Sequence, residues 1–245
     1  MPVDLEKSPY GELIKKFNVR IDFHKFIKVE GISAREFRRE KGSFNGHSAV
    51  ILTSRHAVDH FFRMAGELRF EIPDSLKYFC ISESTAYYLQ KYVQYRKRKI
   101  FYGKQNFNDL MDVIKKHREE TFLVPSSDIH KQSMFVLLDK EKIDYTKAII
   151  YKTVASDLSH LDIDKYDMMI FYSPAGIKSL QNNFPAYAQG DKLIAAFGNT
   201  TAKAVKDAGL SLNIPAPTKS APSMSMALEE YLTQLAKENR RNGRA

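Results

Sequence analysis

Hydroxyl side chains stand where four apolar runs end. Val50-Ile51-Leu52 leads into Thr53-Ser54, and Phe79-Cys80-Ile81 leads, by way of Ser82-Glu83, into Ser84-Thr85. Ile170-Phe171-Tyr172 leads into Ser173, and Phe197-Gly198-Asn199 into Thr200-Thr201. Residues at helical spacing follow each of them. A Ser or Thr at such a junction can cap the helix, its oxygen accepting an otherwise orphaned N–H. The same helix start offers free N–H donors and a partial positive charge to an anion. Capping alone explains a hydroxyl at any one of these positions, whereas four such starts, two in each half of the chain, favour a bound anion. Thr53, Ser54, Ser84, Thr85, Ser173, Thr200 and Thr201 are therefore candidate binding residues. His56, close to the first helix start, could face the same anion.

Other chemistries find less support. His56 and His60 are four residues apart, a spacing that could hold a metal on one helix face. No third ligand is evident and HExxH is absent, so no metal is expected. GxGxxG after a strand and GxxxxGK[ST] are both missing, which argues against NAD and nucleoside triphosphate chemistry. There is no GxSxG. The single cysteine, Cys80, excludes an internal disulfide and a Cys-based zinc site. Within Tyr78-Phe79-Cys80-Ile81 it reads as core packing in a buried strand rather than a nucleophile.

The elements that must position these groups alternate along the chain. A helix is expected over Gly11–Phe17 and strands over Ala49–Thr53, Leu76–Ile81, Ile100–Tyr102, Thr121–Val124 and Ala148–Val154. Between them lie helical stripes over 56–68, over 84–93 opened by Ser84, around Leu110–Ile114 and around Met134–Leu138. The cycle continues with strand Met168–Tyr172, helix Ala175–Leu180, strand Leu193–Phe197, helix Thr200–Ala208, strand Leu212–Ile214 and a helix around Met224–Ala236. Such alternation implies parallel sheets covered on both faces, where ligands bind at the carboxyl ends of the strands. The halves also echo each other. Ser54 matches Ser173 at an offset of 119 residues and Thr85 matches Thr201 at 116, so two similar α/β lobes are expected.

The chain has 245 residues, 43% apolar and 27% charged, enough to bury a real core in one large domain or two small ones. No apolar stretch approaches the ~18–20 residues of a membrane span. Met1–Lys7 has no signal-like apolar core, so a cytoplasmic location is expected. The formal charge of +9 suits an anionic partner. Part of it is local, with +4 in Arg96–Lys99 and +3 in the tail from Lys237 to Arg244, and both runs read first as solvated surface.

The order of the motifs resembles a known family. It runs from Thr53-Ser54 through Ile81-Ser82-Glu83-Ser84-Thr85-Ala86, then Phe122-Leu123-Val124-Pro125 and a polar loop, to Ile150-Tyr151-Lys152-Thr153. Phe171-Tyr172-Ser173-Pro174-Ala175-Gly176 and Phe197-Gly198-Asn199-Thr200-Thr201-Ala202 follow, with Ala208-Gly209-Leu210 after them. This is similar to uroporphyrinogen-III synthase over nearly the whole chain. The resemblance implies two α/β lobes joined by a two-stranded connector, with the active site in a cleft between them. Carried onto this chain, the first lobe is residues 1–27 plus about 153–245 and the second about 31–150. Residues 26–30 and 150–153 supply the connector. It also implies the reaction. Hydroxymethylbilane, a linear tetrapyrrole with eight carboxylates, loses its terminal hydroxyl and closes with ring D inverted, without metal or organic cofactor.

The resemblance further makes Tyr151, at the place of the family's connector tyrosine, the candidate to assist departure of the hydroxyl. A neutral phenol is an available donor at pH 7, although Tyr also suits a buried strand as mere packing. Two departures stand out. The chain passes from Met1-Pro2-Val3 almost directly to helix Gly11–Phe17, so the family's opening strand is expected to be missing or a stub. The loop Ser126-Ser127-Asp128-Ile129-His130-Lys131 has Lys131 where many relatives carry arginine, and the two cations grip carboxylates differently. The leading expectation is a monomeric enzyme acting on a small-molecule polycarboxylate, with no nucleic-acid or membrane partner. The alternatives are a non-catalytic two-lobe paralogue that binds a tetrapyrrole or other anionic ligand, and, last, a nucleic-acid binder using Arg96–Lys99 and the tail.

Overall fold

The computed structural model describes residues 8–104, 106–129, 132–241 and 243. Its elements in chain order are α1 (Gly11–Phe17), β1 (Ile27–Gly31), α2 (Ala34–Arg39), β2 (Ala49–Leu52), α3 (Arg55–Leu68), β3 (Lys77–Cys80), α4 (Glu83–Leu89), β4 (Ile100–Tyr102) and α5 (Phe107–Ile114). Then come β5 (Phe122–Ser127), α6 (Gln132–Lys140), β6 (Tyr145–Ala155), β7 (Met168–Phe171), α7 (Pro174–Asn183), β8 (Leu193–Phe197), α8 (Asn199–Asp207), β9 (Ile214–Ala216) and α9 (Met224–Arg241). The contacts divide them into two compact units. One is Val29–Thr153; the other joins the described residues up to Lys28 to those from Val154 on. No helix among the described residues is long and apolar enough to cross a membrane.

The Val29–Thr153 unit is organised by the run Ala49-Val50-Ile51-Leu52, every residue of which is fully buried. A strand apolar on both faces must be covered on both, and the pleat sends alternate residues to opposite sides. Val50 and Leu52 join a cluster with Phe61 and Met64 of α3, Phe37 of α2 and Leu89 of α4. Ala49 and Ile51 join another with Leu110 and Ile114 of α5 and Leu138 of α6. The sheet order is β1-β6-β5-β2-β3-β4, and the β6–β5, β5–β2, β2–β3 and β3–β4 pairs are all parallel. From β2 the chain builds outward through β3 and β4, then returns to add β5 and β6 on the other side. The direction of winding therefore reverses between β2 and β5, the kind of switch point at which open α/β sheets leave a crevice for ligands.

The second unit carries a three-stranded parallel sheet, β7-β8-β9. The central strand β8 alternates in the same way. Ala195 packs with Leu13 of α1 and with Met224 and Leu228 of α9, while Ile194 and Ala196 pack with Ile177 and Leu180 of α7 and Val205 of α8. Arg240 and Arg241 lie in the last turn of α9, where cations complement the helix dipole.

Several boundaries correct the sequence reading. Helix α4 is opened by Ser82 in extended conformation, not by Ser84, and ends at Leu89 rather than Val93. Strand β5 continues through Pro125 to Ser127, in place of the expected polar loop. Proline is tolerated there because the pairing of β5 with β2 stops at Leu123. The third strand of the smaller sheet is Ile214–Ala216, shifted from Leu212–Ile214. Helix α2 has no counterpart in the sequence reading. Met1–Val3, the stub in place of an opening strand, lies outside the described residues.

Cys80 is fully buried, and burial pushes its thiol up to about 12. The native protein is expected to resist a water-soluble disulfide reagent at pH 8, with one thiol appearing on denaturation. Fast labelling of the folded chain would contradict the packing described here.

Candidate active site

Four helix starts carry the hydroxyls picked out in the sequence, and they are not equivalent. Ser54 caps α3, its oxygen accepting from the Ala57 N–H at 3.1 Å, and Ser173 caps α7 through the Gly176 N–H at 3.4 Å. At both, the capping reading holds. The start of α4 has no side-chain cap; the Ser82 hydroxyl instead meets those of Ser84 at 3.0 Å and Thr85 at 3.2 Å. The start of α8 is likewise uncapped, with Gly198 at φ +88° letting the chain turn from β8 into the helix. Thr85 and Thr201 are buried, 4% and 1% exposed, so their hydroxyls are withdrawn from solvent; Ser84, Thr200 and His56 are exposed. The first turns of α3, α7 and α8 hold no acidic residue, whereas α4 carries Glu83. Macrodipole and side chains together therefore favour a carboxylate at the first three starts and oppose one at α4. Lys131 lies outside the described residues.

Tyr151 meets the α3 start directly. Its phenol lies near enough to the Ser54 hydroxyl to be lowered by it, and its ring stacks on His60 of α3, centroids 5.0 Å apart and 16° between planes. Strand register explains how a residue of β6 reaches there. Ser126 of β5 pairs with Ile149, but Ser127 pairs with Tyr151, so Ile150 is an extra residue without a counterpart. A bulge of this kind re-aims the side chains beyond it. Strict alternation would send Ile150 and Tyr151 to opposite faces, yet both join the same core cluster.

Polar groups fasten the bulge on both sides. The Asp128 N–H donates to the Tyr151 carbonyl at 3.2 Å, and the Asp128 carboxylate accepts from the Thr153 N–H at 3.0 Å, the Ile129 N–H at 2.8 Å and the Ser127 hydroxyl at 2.7 Å. Desolvation pushes that carboxyl up, but these donors outweigh it and hold it below its ordinary value. On the other side, Arg63 of α3 donates through Nη2 to the carbonyls of Ile150 and Ile32, each at 2.9 Å, and through Nε to His60 Nδ1 at 3.1 Å. Its third nitrogen is paired with Glu67.

The charge states follow. His60 is pushed down by burial, then by the Arg63 cation and by His56, so its imidazole stays neutral and accepts at Nδ1. Burial raises the Tyr151 phenol, with a smaller opposing contribution from Ser54. At neutral pH the phenol keeps its proton and can donate it. Its residue is 7% exposed. The sequence reading missed Arg63, Asp128 and the bulge. It noticed His60 as a possible metal ligand, but His60 Nδ1 is taken by Arg63. Among the described residues, the group whose ligand atoms converge is His117, Glu119 and Glu120, just before β5 and away from Tyr151 at the strand's other end. Glu120 there is engaged by Lys77.

Two parallel α/β units with hydroxyl-bearing helix starts at their strand ends define a protein whose ligand-facing edge is the carboxyl end of its sheets. The family model for uroporphyrinogen-III synthase HemD matches residues 11–225. The chain therefore belongs to the uroporphyrinogen-III synthase family, and its function lies in tetrapyrrole biosynthesis. The family is one of lyases. The crystal structure of uroporphyrinogen-III synthetase from Helicobacter pylori 26695 aligns at a TM-score of 0.52 with 20% identity, covering 89% of this chain and 96% of that one. A mutant uroporphyrinogen III synthase from the extremely thermophilic bacterium Thermus thermophilus aligns at 0.46 with 12% identity, covering 95% and 96%. At 20% identity the first likeness establishes the fold, while membership rests on the family model. No curated relative matches the chain.

The Asp128 geometry sets a pH dependence. A carboxyl held below its unfolded value stabilises the fold above about pH 4, and that contribution is lost as pH falls through the folded value. Asp128→Asn is expected to lower the denaturant midpoint at pH 7. The gap to the unsubstituted protein should narrow between about pH 5 and pH 3 in urea titrations. A gap independent of pH would contradict the assignment. Ser54→Ala should cost about 1 kcal/mol through the lost cap, read in the same titrations.

Proposed function

We propose that this chain is itself a catalyst, converting hydroxymethylbilane to uroporphyrinogen III with loss of water, and that Tyr151 is its general acid. The observation that carries the reading is the neutral phenol of Tyr151, turned by the bulge of β6 and stacked on His60 of α3, the helix that starts beside the point where the sheet reverses its winding. The substrate needs two things from a protein. Its carboxylates must be held, and its terminal hydroxyl must leave as water. Uncapped or acid-free helix starts, with Arg55 and His56 exposed on the first turn of α3, suit the first. The phenol suits the second.

In the proposed step the Tyr151 proton passes to the departing hydroxyl while the carbon–oxygen bond breaks, its electron pair staying on oxygen. Water leaves, and the tetrapyrrole becomes an azafulvenium cation beside a phenolate. The α-carbon of ring D that carries its methylene bridge then bonds to the cationic carbon. Its bond to that bridge breaks to leave a cationic methylene on ring C, and the free α-carbon of ring D bonds to that methylene, which inverts the ring. The proton displaced from the free α-carbon returns the phenol to its starting state, so bonds, protons and charge balance over the cycle. The bilane closes unaided to the wrong isomer, so the protein's larger task is to hold the inverted geometry long enough for it to win. Thr53, Ser54, His56, Ser84, Ser173, Thr200 and Lys131 are the residues we assign to carboxylates. Glu83 makes Ser84 the weakest of them, and the burial of Thr85 and Thr201 gives those two a packing role. A second reading, a non-catalytic protein that binds the bilane, draws on the burial of Tyr151.

An isomer-resolved assay separates the two. With hydroxymethylbilane generated in place by an upstream deaminase, the chain is expected to yield the type III isomer. Tyr151→Phe should slow that formation by about 100-fold. Binding of the bilane with type I product alone would support the second reading and overturn the first.

A further inference from the structure

We propose that Arg63 is a positioning residue for Tyr151. The inference rests on the catalytic reading of that tyrosine. Its guanidinium acts on Tyr151 from two directions at once. Through Nη2 it donates to the carbonyl of Ile150, the extra residue of the bulge and the one immediately before Tyr151. Through Nε it donates to His60 Nδ1, which fixes the imidazole with its proton on Nε2 and sets the plane on which the phenol ring stacks. The remaining contacts hold the guanidinium itself. Nη2 also donates to Ile32, whose N–H donates to the Ile150 carbonyl at 3.0 Å, and Nη1 pairs with Glu67. Glu67 in turn accepts the Ala34 N–H at 3.0 Å, at the start of α2.

The fold leaves a space shaped for this fork. A Cβ at Gly31 would lie 2.5–2.7 Å from the carbon and nitrogens of the Arg63 guanidinium. Glycine at the end of β1 is thus what lets the guanidinium lie flat against the strand. Planarity and five donors matter here. A lysine at the same place could satisfy the Ile150 carbonyl or the imidazole, but its single ammonium cannot span both in fixed directions. A misplacement of about 1 Å in such an arrangement is enough to cost on the order of 100-fold in rate.

The test compares Arg63→Met, Arg63→Lys and Gly31→Ala with the unsubstituted chain in steady-state assays resolved by isomer. It is paired with long-range proton–nitrogen NMR of the His60 ring. All three variants are expected to lose about tenfold or more in kcat for the type III isomer, with KM within about twofold. The His60 Nδ1 signal should move away from that of a hydrogen-bonded acceptor. Should Arg63→Met not fold, Gly31→Ala decides, since it keeps every side chain of the network and displaces only the fork. Full kcat in a folded Gly31→Ala variant, or a loss confined to KM, would overturn the proposal. If the unsubstituted chain makes no type III isomer, the catalytic reading fails by itself, and the His60 signal still tests whether Arg63 orders the stack.

Discussion

A backbone carbonyl on the extra residue of a bulge has no ladder partner assigned to it, and a buried one must still find a donor. The carbonyl of Ile150 finds two, the Ile32 N–H and the Arg63 guanidinium. Much else at this end of the sheet depends on that arrangement. The extra residue turns Tyr151 into the same cluster as Ile150, the guanidinium that reaches Ile150 also reaches His60, and His60 is the surface against which the phenol lies. Asp128 closes the other side, joining the end of β5 to Tyr151 and Thr153. The phenol is thereby held by backbone and ring contacts rather than by a strong acid or base beside it. Such a setting suits a reaction in which geometry decides the product.

Much of the architecture was legible because burial leaves a mark on composition. The run Ala49–Leu52 has no polar residue, which is what a strand covered on both faces requires, and the stripe Val58, Phe61, Phe62, Ala65 announced α3. The limits of α1 and β8 were read to the residue. Strand and helix ends were less certain where two signals compete. Ser82 and Ser84 are both good caps, and the local hydroxyl pattern cannot say which adopts the extended conformation. Pro125 argued for a loop, yet the partner strand that would have missed its N–H had already ended.

At the candidate site, the hydroxyls were visible because their types and places recur. Tyr151 was visible through resemblance alone, since a tyrosine in an apolar strand reads equally as packing. Arg63 gave no signal. One cation on the outer turn of an amphipathic helix looks like solvated surface, and its worth lies in carbonyls far away in sequence, Ile32 and Ile150. A bulge leaves no compositional mark either. What sequence pattern misses here is contact between elements, in which each residue is ordinary by itself.

The central claim is that the Tyr151 phenol delivers a proton to the leaving hydroxyl. The most direct measurement is a crystal structure with a bilane polycarboxylate that keeps the terminal hydroxymethyl group but cannot cyclise. The account expects that oxygen within hydrogen-bonding distance of the Tyr151 hydroxyl, about 2.5–3.0 Å. A well-ordered ligand whose hydroxymethyl oxygen is bonded to some other group, with Tyr151 still sealed beneath the surface, would contradict it.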